Sequence, residues 1–180
     1  MTAPFLRTER LELWLPQPDD LGGMIELVAD AETRRFLGPT APDARQQFER
    51  LLRSGGSWRF YGYGSLFLRW PGDHAIVGSC GLFHSWRGFG QGMDDVPEAG
   101  WIVRRDHAGV GLAGEAMRAI LAWFDERHGP KRITALIEDA NVASARLAGS
   151  LGFSAYGYQE VDGDRLVLYE RLPANPAGKA

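Results

Sequence analysis

Glu98-Ala99-Gly100-Trp101-Ile102-Val103-Arg104-Arg105-Asp106-His107-Ala108-Gly109-Val110-Gly111-Leu112-Ala113-Gly114-Glu115-Ala116 opens with a strand-like run, Ala99–Val103, and passes through a short polar stretch into three spaced glycines. A long helical pattern follows at once. A helix that starts in a glycine-rich turn presents unpaired backbone N–H groups and the positive end of its dipole, which suits a phosphate. Gly109-Val110-Gly111-Leu112-Ala113-Gly114 also spells GxGxxG, the dinucleotide-binding fingerprint. The question is which phosphate ligand the turn serves.

Outward from this stretch the chain alternates short strands with amphipathic helices. Arg10–Leu15 alternates polar and apolar residues and is expected to be a half-buried strand, stopped by Pro16 and Pro18. Asp19 or Asp20 then caps a helix to about Ala29, and a second helix is expected over residues 42–53. Tyr63–Arg69 and Ala75–Phe83 are expected strands joined by Pro71-Gly72-Asp73-His74. Ser85–Pro97, rich in glycine and proline, is expected to be a mobile loop. Gly111–His128 forms the longest expected helix, stopped by Gly129-Pro130. Arg132–Ile137 is a central strand, Asn141–Ser150 a short helix, and Tyr156–Val161 with Arg165–Arg171 a closing hairpin. This order predicts an α+β fold with one parallel crossover in its middle. Residues 1–172 are expected to form a single domain and residues 173–180 a disordered tail.

Composition narrows the function. The 180 residues suit one self-sufficient core, and a net charge of −3 gives no reason to expect nucleic-acid binding. Cys80 is the only cysteine, so no internal disulfide forms and a reducing compartment is expected. No stretch reaches the roughly 18 apolar residues of a membrane span, and no basic-then-apolar leader precedes the first strand. A soluble, cytoplasmic protein is the expectation. The four histidines lack metal-ligand spacing, so no metal is expected.

A dinucleotide site is supported by Glu138 and Asp139 at the end of the next strand, near the position of a ribose-binding carboxylate. Three features oppose it. Arg104–Ala108 separate the strand from the first glycine, too little chain follows Glu138 for a second mononucleotide half, and the preceding hundred residues resemble hairpins. A Walker-type loop is excluded because no Lys-Ser/Thr follows the glycines.

The chain resembles the Gcn5-related N-acetyltransferases (GNAT), in particular the branch of ribosomal-protein N-terminal acetyltransferases. Thr8-Glu9-Arg10-Leu11 with Asp19-Asp20, Ile76-Val77-Gly78 with Gly81-Leu82, Glu98–Val103 with Gly109–Ala116, Asn141–Ser144, and Leu151-Gly152-Phe153 carry the likeness in order. The resemblance implies a mixed, mostly antiparallel sheet of about seven strands with four helices and splayed central strands. It implies transfer of an acetyl group from acetyl-CoA to a primary amine, on a protein N-terminus or a small molecule. Two positions depart from the pattern. Asp106 replaces a Gln or Arg three residues before the first glycine and must point away from a pyrophosphate. Ala148 stands where many members carry a general-acid Tyr.

On this resemblance the backbone of Ile102 and Val103 holds the pantetheine arm as an added strand. Amides of Ala108, Gly109, Val110, Gly111, Leu112 and Ala113 hold the pyrophosphate, and Asn141 caps its helix or contacts the pantetheine amide. An amine of pKa near 8 to 10 is mostly protonated at pH 7, so a base is needed. Glu98 is the first candidate, with Asp94 and Asp95 in reserve, against a plain role in orienting substrate or pairing with an arginine. Ser144 is expected near the thioester sulfur, against a plain role in its helix's first turn. Cys80 with His84 is weighed as a nucleophile pair and set below a buried, inert thiol. The acidic end of the Ser85–Pro97 loop hints at a cationic acceptor, Trp86 and Phe89 there are available for substrate contact, and a homodimer is compatible with the sequence. A non-catalytic acyl-CoA sensor, or an NAD-type protein, are the alternatives.

Overall fold

The computed structural model describes residues 3–37 and 43–173. Eight strands form one sheet in the order β1-β2-β3-β4-β5-β6-β8-β7. They are β1 Leu6–Arg7, β2 Glu12–Trp14, β3 Ser65–Arg69, β4 Gly78–Trp86, β5 Asp94–Val103, β6 Ile133–Glu138, β7 Ser154–Val161 and β8 Asp164–Arg171. The helices are α1 Leu21–Leu27, α2 Ala44–Tyr61, α3 Leu112–His128 and α4 Val142–Ser150. All pairings are antiparallel except β5 with β6, which α3 joins; the one crossover expected from the sequence is therefore followed by a second, in which α4 carries the chain from β6 past β8 to β7.

Local chemistry sets the helix ends. Asp43 opens α2 with a reciprocal box, its carboxylate accepting from Gln46 N while Gln46 Oε1 accepts from Asp43 N. Gly62, at φ 76°, closes it. Asn141 caps α4 by accepting from Ser144 N at 3.1 Å. Along α3 the buried positions Leu112, Ala116, Met117, Ile120, Leu121 and Phe124 recur at helical spacing and pack on the sheet. Leu66 and Leu68 of β3 face that core. Phe67 between them packs with Met24, Leu27, Val28 and Leu51 under α1 and α2. The sheet is therefore covered on both faces.

Four expectations change. There are eight strands rather than about seven, because β1 is two residues long and too short for alternation to register. α2 continues to Tyr61, past the expected end at Arg53, because Ser57 and Trp58 of its last turns are tied down: Ser57 Oγ donates to Tyr63 O and Trp58 Nε1 to Ser65 O. Its expected start at Pro42 lies outside the described residues, as do residues 174–180 of the expected tail. Asp20 does not cap α1 through its side chain. It is buried, turns back to accept from Gln17 N at 2.7 Å and pairs with the half-buried Arg69.

The expected loop Ser85–Pro97 contracts to the turn between Trp86 and Asp94, the rest being strand. Asp94 orders this turn by accepting from Gly88 N at 2.6 Å and Gly90 N at 3.0 Å. Among the described residues no helix is long and apolar enough to cross a membrane.

Candidate functional site

Between β5 and β6 only Glu98↔Thr134 and Ala99↔Ala135 are in register, and beyond them the strands part. Gly100–Val103 on one side and Leu136–Glu138 on the other line a cleft of about 1340 Å³ that runs from the start of α3 to the cavity face of α2. The splayed central strands expected from the sequence are this opening.

The parted edge of β5 leaves backbone groups free. Arg104 N donates to Val77 O at 2.9 Å in the same register that pairs Ile102 with Ser79. Along an antiparallel ladder the groups of alternate residues turn the same way, so Ile102 turns its N–H and C=O to β4. Trp101 and Val103 turn theirs to the open edge. Of the two residues expected to offer backbone groups there, Val103 does so. Ile102 does not, and Trp101 takes its place.

The start of α3 forms the other wall. Gly109 at φ 80° and Gly111 at φ 84° occupy left-handed backbone that side chains disfavour, and a Cβ on Gly109 would meet nothing within 4 Å. Gly111 caps the helix without any side-chain bond, so the first-turn N–H groups face the cleft unsatisfied by a capping side chain. Ala108, Gly109, Gly111, Leu112 and Ala113 line it. Val110 does not. Its side chain is exposed and its carbonyl accepts from Arg10 Nη1 at 2.9 Å. Arg10 is in turn held by Glu115, whose carboxylate also accepts from Thr8 Oγ at 2.6 Å and Arg10 N at 2.9 Å. The N-terminal segment thus braces the phosphate-shaped turn.

Asp106 has a simple account. Arg104 grips its carboxylate outside the cleft, and that bond holds the exposed carboxyl below its usual range. Asp106 is not among the cleft residues, so its charge is neutralised away from any phosphate.

Glu98 is 2 % exposed and lines the cleft. Arg87 engages both of its oxygens, with Nε to Oε2 at 2.8 Å and Nη2 on Oε1. That bond raises the Arg87 guanidinium, against the opposing effect of burial. Ser144 stands across the split, with its Oγ accepting from Trp101 Nε1 at 3.1 Å. Asn141 lines the cleft through the same turn. The reserve carboxylates do not reach it. Asp94 is used by the turn, and Asp95, 74 % exposed, bonds His84 Nε2 at 2.9 Å.

His84 does reach the cleft, stacked on Tyr61 and accepting from Tyr63 Oη through Nδ1 at 2.7 Å. Burial, then the neighbouring Tyr61 and Asp95, push the Tyr63 hydroxyl up to about 12. Cys80 is fully buried and burial pushes its thiol up to about 12, which leaves no nucleophile pair with His84.

Arg87, Arg50, Arg53 and Gln47 are cleft residues that the sequence reading passed over. The arginines of α2 read as a solvated helical face, and they are exposed, but the placement of α2 against β4 sets Arg50 and Arg53 along the cleft. Among the described residues no group of His, Cys, Asp and Glu could hold a metal ion.

The Acetyltransferase (GNAT) domain family matches residues 10–154. A GNAT-family acetyltransferase structure from Bordetella pertussis is 35% identical, covering 92% of this chain and 98% of that one, at TM-score 0.83. The N-acetyltransferase p20 of Bacillus licheniformis is 26% identical over 91% of this chain and 92% of its own length. A ribosomal-protein-S5-alanine acetyltransferase from Vibrio fischeri shares the fold at TM-score 0.72, with 17% identity over 97% of this chain and 98% of that one.

Proposed function

Because this chain belongs to the GNAT acetyltransferase family and is an acetyl-CoA-dependent acetyltransferase, we propose that it acetylates the primary amine of a protein N-terminus or small molecule by direct transfer across the β5–β6 split. The observation that carries this reading is the continuity of one cleft. The glycine turn of α3, the open edge of β5 and the carboxylate of Glu98 all lie along it.

The residues fit a coenzyme A thioester. Its pyrophosphate suits the first-turn amides of α3 from Ala108 to Ala113, where two left-handed glycines keep side chains away. Its pantetheine amides suit the free backbone of Trp101 and Val103, in the manner of an added strand. Acetyl-CoA supplies an acyl carbon that accepts an amine and a thiolate that departs.

Transfer forms a C–N bond and breaks a C–S bond; the ammonium loses one proton before attack and a second as the C–N bond forms, and the departing thiolate takes one up. We assign the first proton to Glu98, directly or through a water. A carboxylate has about four acceptor positions, so the two bonds from Arg87 leave room for an amine N–H. The same pairing supports a second reading, in which Glu98 orients the acceptor and Arg87 without taking the proton. We assign Ser144 the hydrogen bond to the leaving sulfur, a reading supported by its hydroxyl lining the cleft across the split from β5. A free thiol has a pKa of about 8.5, so a hydrogen bond is sufficient help there. Likeness to the ribosomal-protein branch supports a protein N-terminus as one of the two acceptor classes, beside a small-molecule amine.

The test is thiol release from acetyl-CoA against a panel of amines that includes peptides with free N-termini. Saturable release with at least one amine is the expected result. Acetyl-CoA binding with no release across the panel would remove the reading.

A further inference from the structure

The cleft continues past Glu98 to α2, and the chemistry there is cationic. Gln47, Arg50 and Ser54 recur at helical spacing on the side of α2 that faces the cleft, with Arg53 beside them and Arg87 across from them. Glu98 is the carboxylate among them, and Arg87 already engages both of its oxygens. Among the described residues no carboxylate lies within ion-pair distance of Arg50 or Arg53. Glu98 is thus taken up by Arg87, and Arg50 and Arg53 have no carboxylate partner among the described residues. Arg50 and Arg53 line the cleft and stay open to solvent, so both are within reach of a ligand that enters it.

Polar atoms without partners point the same way. Gln47 is 1 % exposed and lines the cleft, yet its Nε2 has no hydrogen-bond partner among the described residues. Ser54 Oγ, one helical step beyond Arg50, is buried and equally without a partner. A buried donor left unmade costs about 1–3 kcal/mol, so such groups are normally satisfied. Two orphaned polar groups flanking two unpaired arginines are satisfied together by one kind of ligand, an oxyanion. Guanidinium forks match the paired oxygens of a carboxylate or phosphate.

We propose that Gln47, Arg50, Arg53 and Ser54 form an acceptor subsite for an anionic group, so that the preferred substrate is a small amine that also carries a carboxylate or a phosphate. This rests on the acetyltransferase reading above and adds the acceptor class to it. It also reverses the hint of a cationic acceptor, since Asp94 and Asp95 do not reach the cleft.

The test compares amines of similar length: β-alanine for a carboxylate, phosphoethanolamine for a phosphate, ethanolamine as the neutral case and diaminopropane as the cationic one. Charge-assisted bonds of the usual strength predict kcat/KM about tenfold or more higher for an anionic amine than for ethanolamine. The better of the two anions identifies the group. Arg50→Gln should cut that ratio at least about fivefold, chiefly through KM, with Arg50→Lys in between because it keeps charge and loses the fork. Arg59→Gln, on the exposed side of α2, should leave the ratio unchanged.

Turnover of ethanolamine or diaminopropane at least as fast as the anionic amines would overturn the subsite while leaving acetyl transfer intact. No thiol release from any amine would remove the transferase reading instead. The subsite would then be decided by calorimetric titration of β-alanine and phosphoethanolamine into protein saturated with coenzyme A. Saturable binding lost in Arg50→Gln would uphold it, and no binding would overturn it.

Discussion

Arg87 grips both oxygens of Glu98, so this buried, cleft-lining carboxylate carries a guanidinium as its partner. The pair spans the turn between β4 and β5, with Arg87 in the turn and Glu98 in β5. It fixes the carboxylate plane relative to the parted strands.

The two possible duties of Glu98 separate by kinetics. If it takes the amine proton, Glu98→Gln should lower kcat by about 100-fold or more while acetyl-CoA still binds. A change confined to the KM of the amine would identify Glu98 as an orienting group. Arg87→Gln leaves the carboxylate buried without its partner, and a loss of about 1–3 kcal/mol is expected, read from a denaturant melt.

The glycine turn gives a second prediction. Gly109 and Gly111 sit at positive φ, so Ala at either should cost about 1–2 kcal/mol of backbone strain. At Gly109, a cleft-lining residue, a side chain also has open space around it. Gly109→Val should therefore raise the KM or Kd for acetyl-CoA about tenfold or more, with a smaller effect on stability. Equal acetyl-CoA affinity in Gly109→Val and the parent chain would place the pyrophosphate elsewhere.

This turn was legible in the sequence because its physics is local: left-handed backbone asks for glycine, and the helix after it shows its period. The helical and strand order was legible for the same reason. The split between β5 and β6 was implied by the family resemblance alone, since both strands carry the apolar pattern of a fully paired ladder and lose register only in three dimensions. Arg50 and Arg53 were hidden differently. Arginines on a helix ordinarily mean solvent, and their meaning came from the strand that faces them. Asp106 was visible as an anomaly, and its explanation, Arg104 two residues earlier, was within reach of the sequence.

Ser144 allows a prediction of small size. Its hydroxyl holds the Trp101 indole N–H and would help a leaving thiolate that needs little help. Ser144→Ala should lower kcat less than about tenfold, with a shift in tryptophan fluorescence as Trp101 loses its acceptor. A loss nearer 1000-fold would make Ser144 an essential acid.

Acid stability depends on two groups whose shifts have the same sign. Burial alone would raise the Glu115 carboxyl, but bonds from Thr8 and Arg10 and the Arg10 charge bring it below its usual 4.5. A carboxyl depressed on folding stabilises the protein above its unfolded pKa, and that contribution is lost as pH falls through the lower folded value. His128 is depressed as well, chiefly by burial and further by Lys131 and Arg127. It packs on Phe124 and Tyr63, and its buried Nε2 has no hydrogen-bond partner among the described residues. Folding therefore favours its neutral form, and stability should already fall between about pH 6.5 and 5, before the Glu115 effect begins. The measurement is Tm against pH for the parent chain, His128→Phe and Glu115→Gln. His128→Phe should flatten the limb between pH 6.5 and 5 and leave the lower one. Glu115→Gln should lower Tm near neutrality and flatten the limb below about pH 4.5. Because Glu115 also braces Arg10 against the Val110 carbonyl, Glu115→Gln should weaken acetyl-CoA binding severalfold as well, an effect His128→Phe, at the far end of α3, has no means to produce.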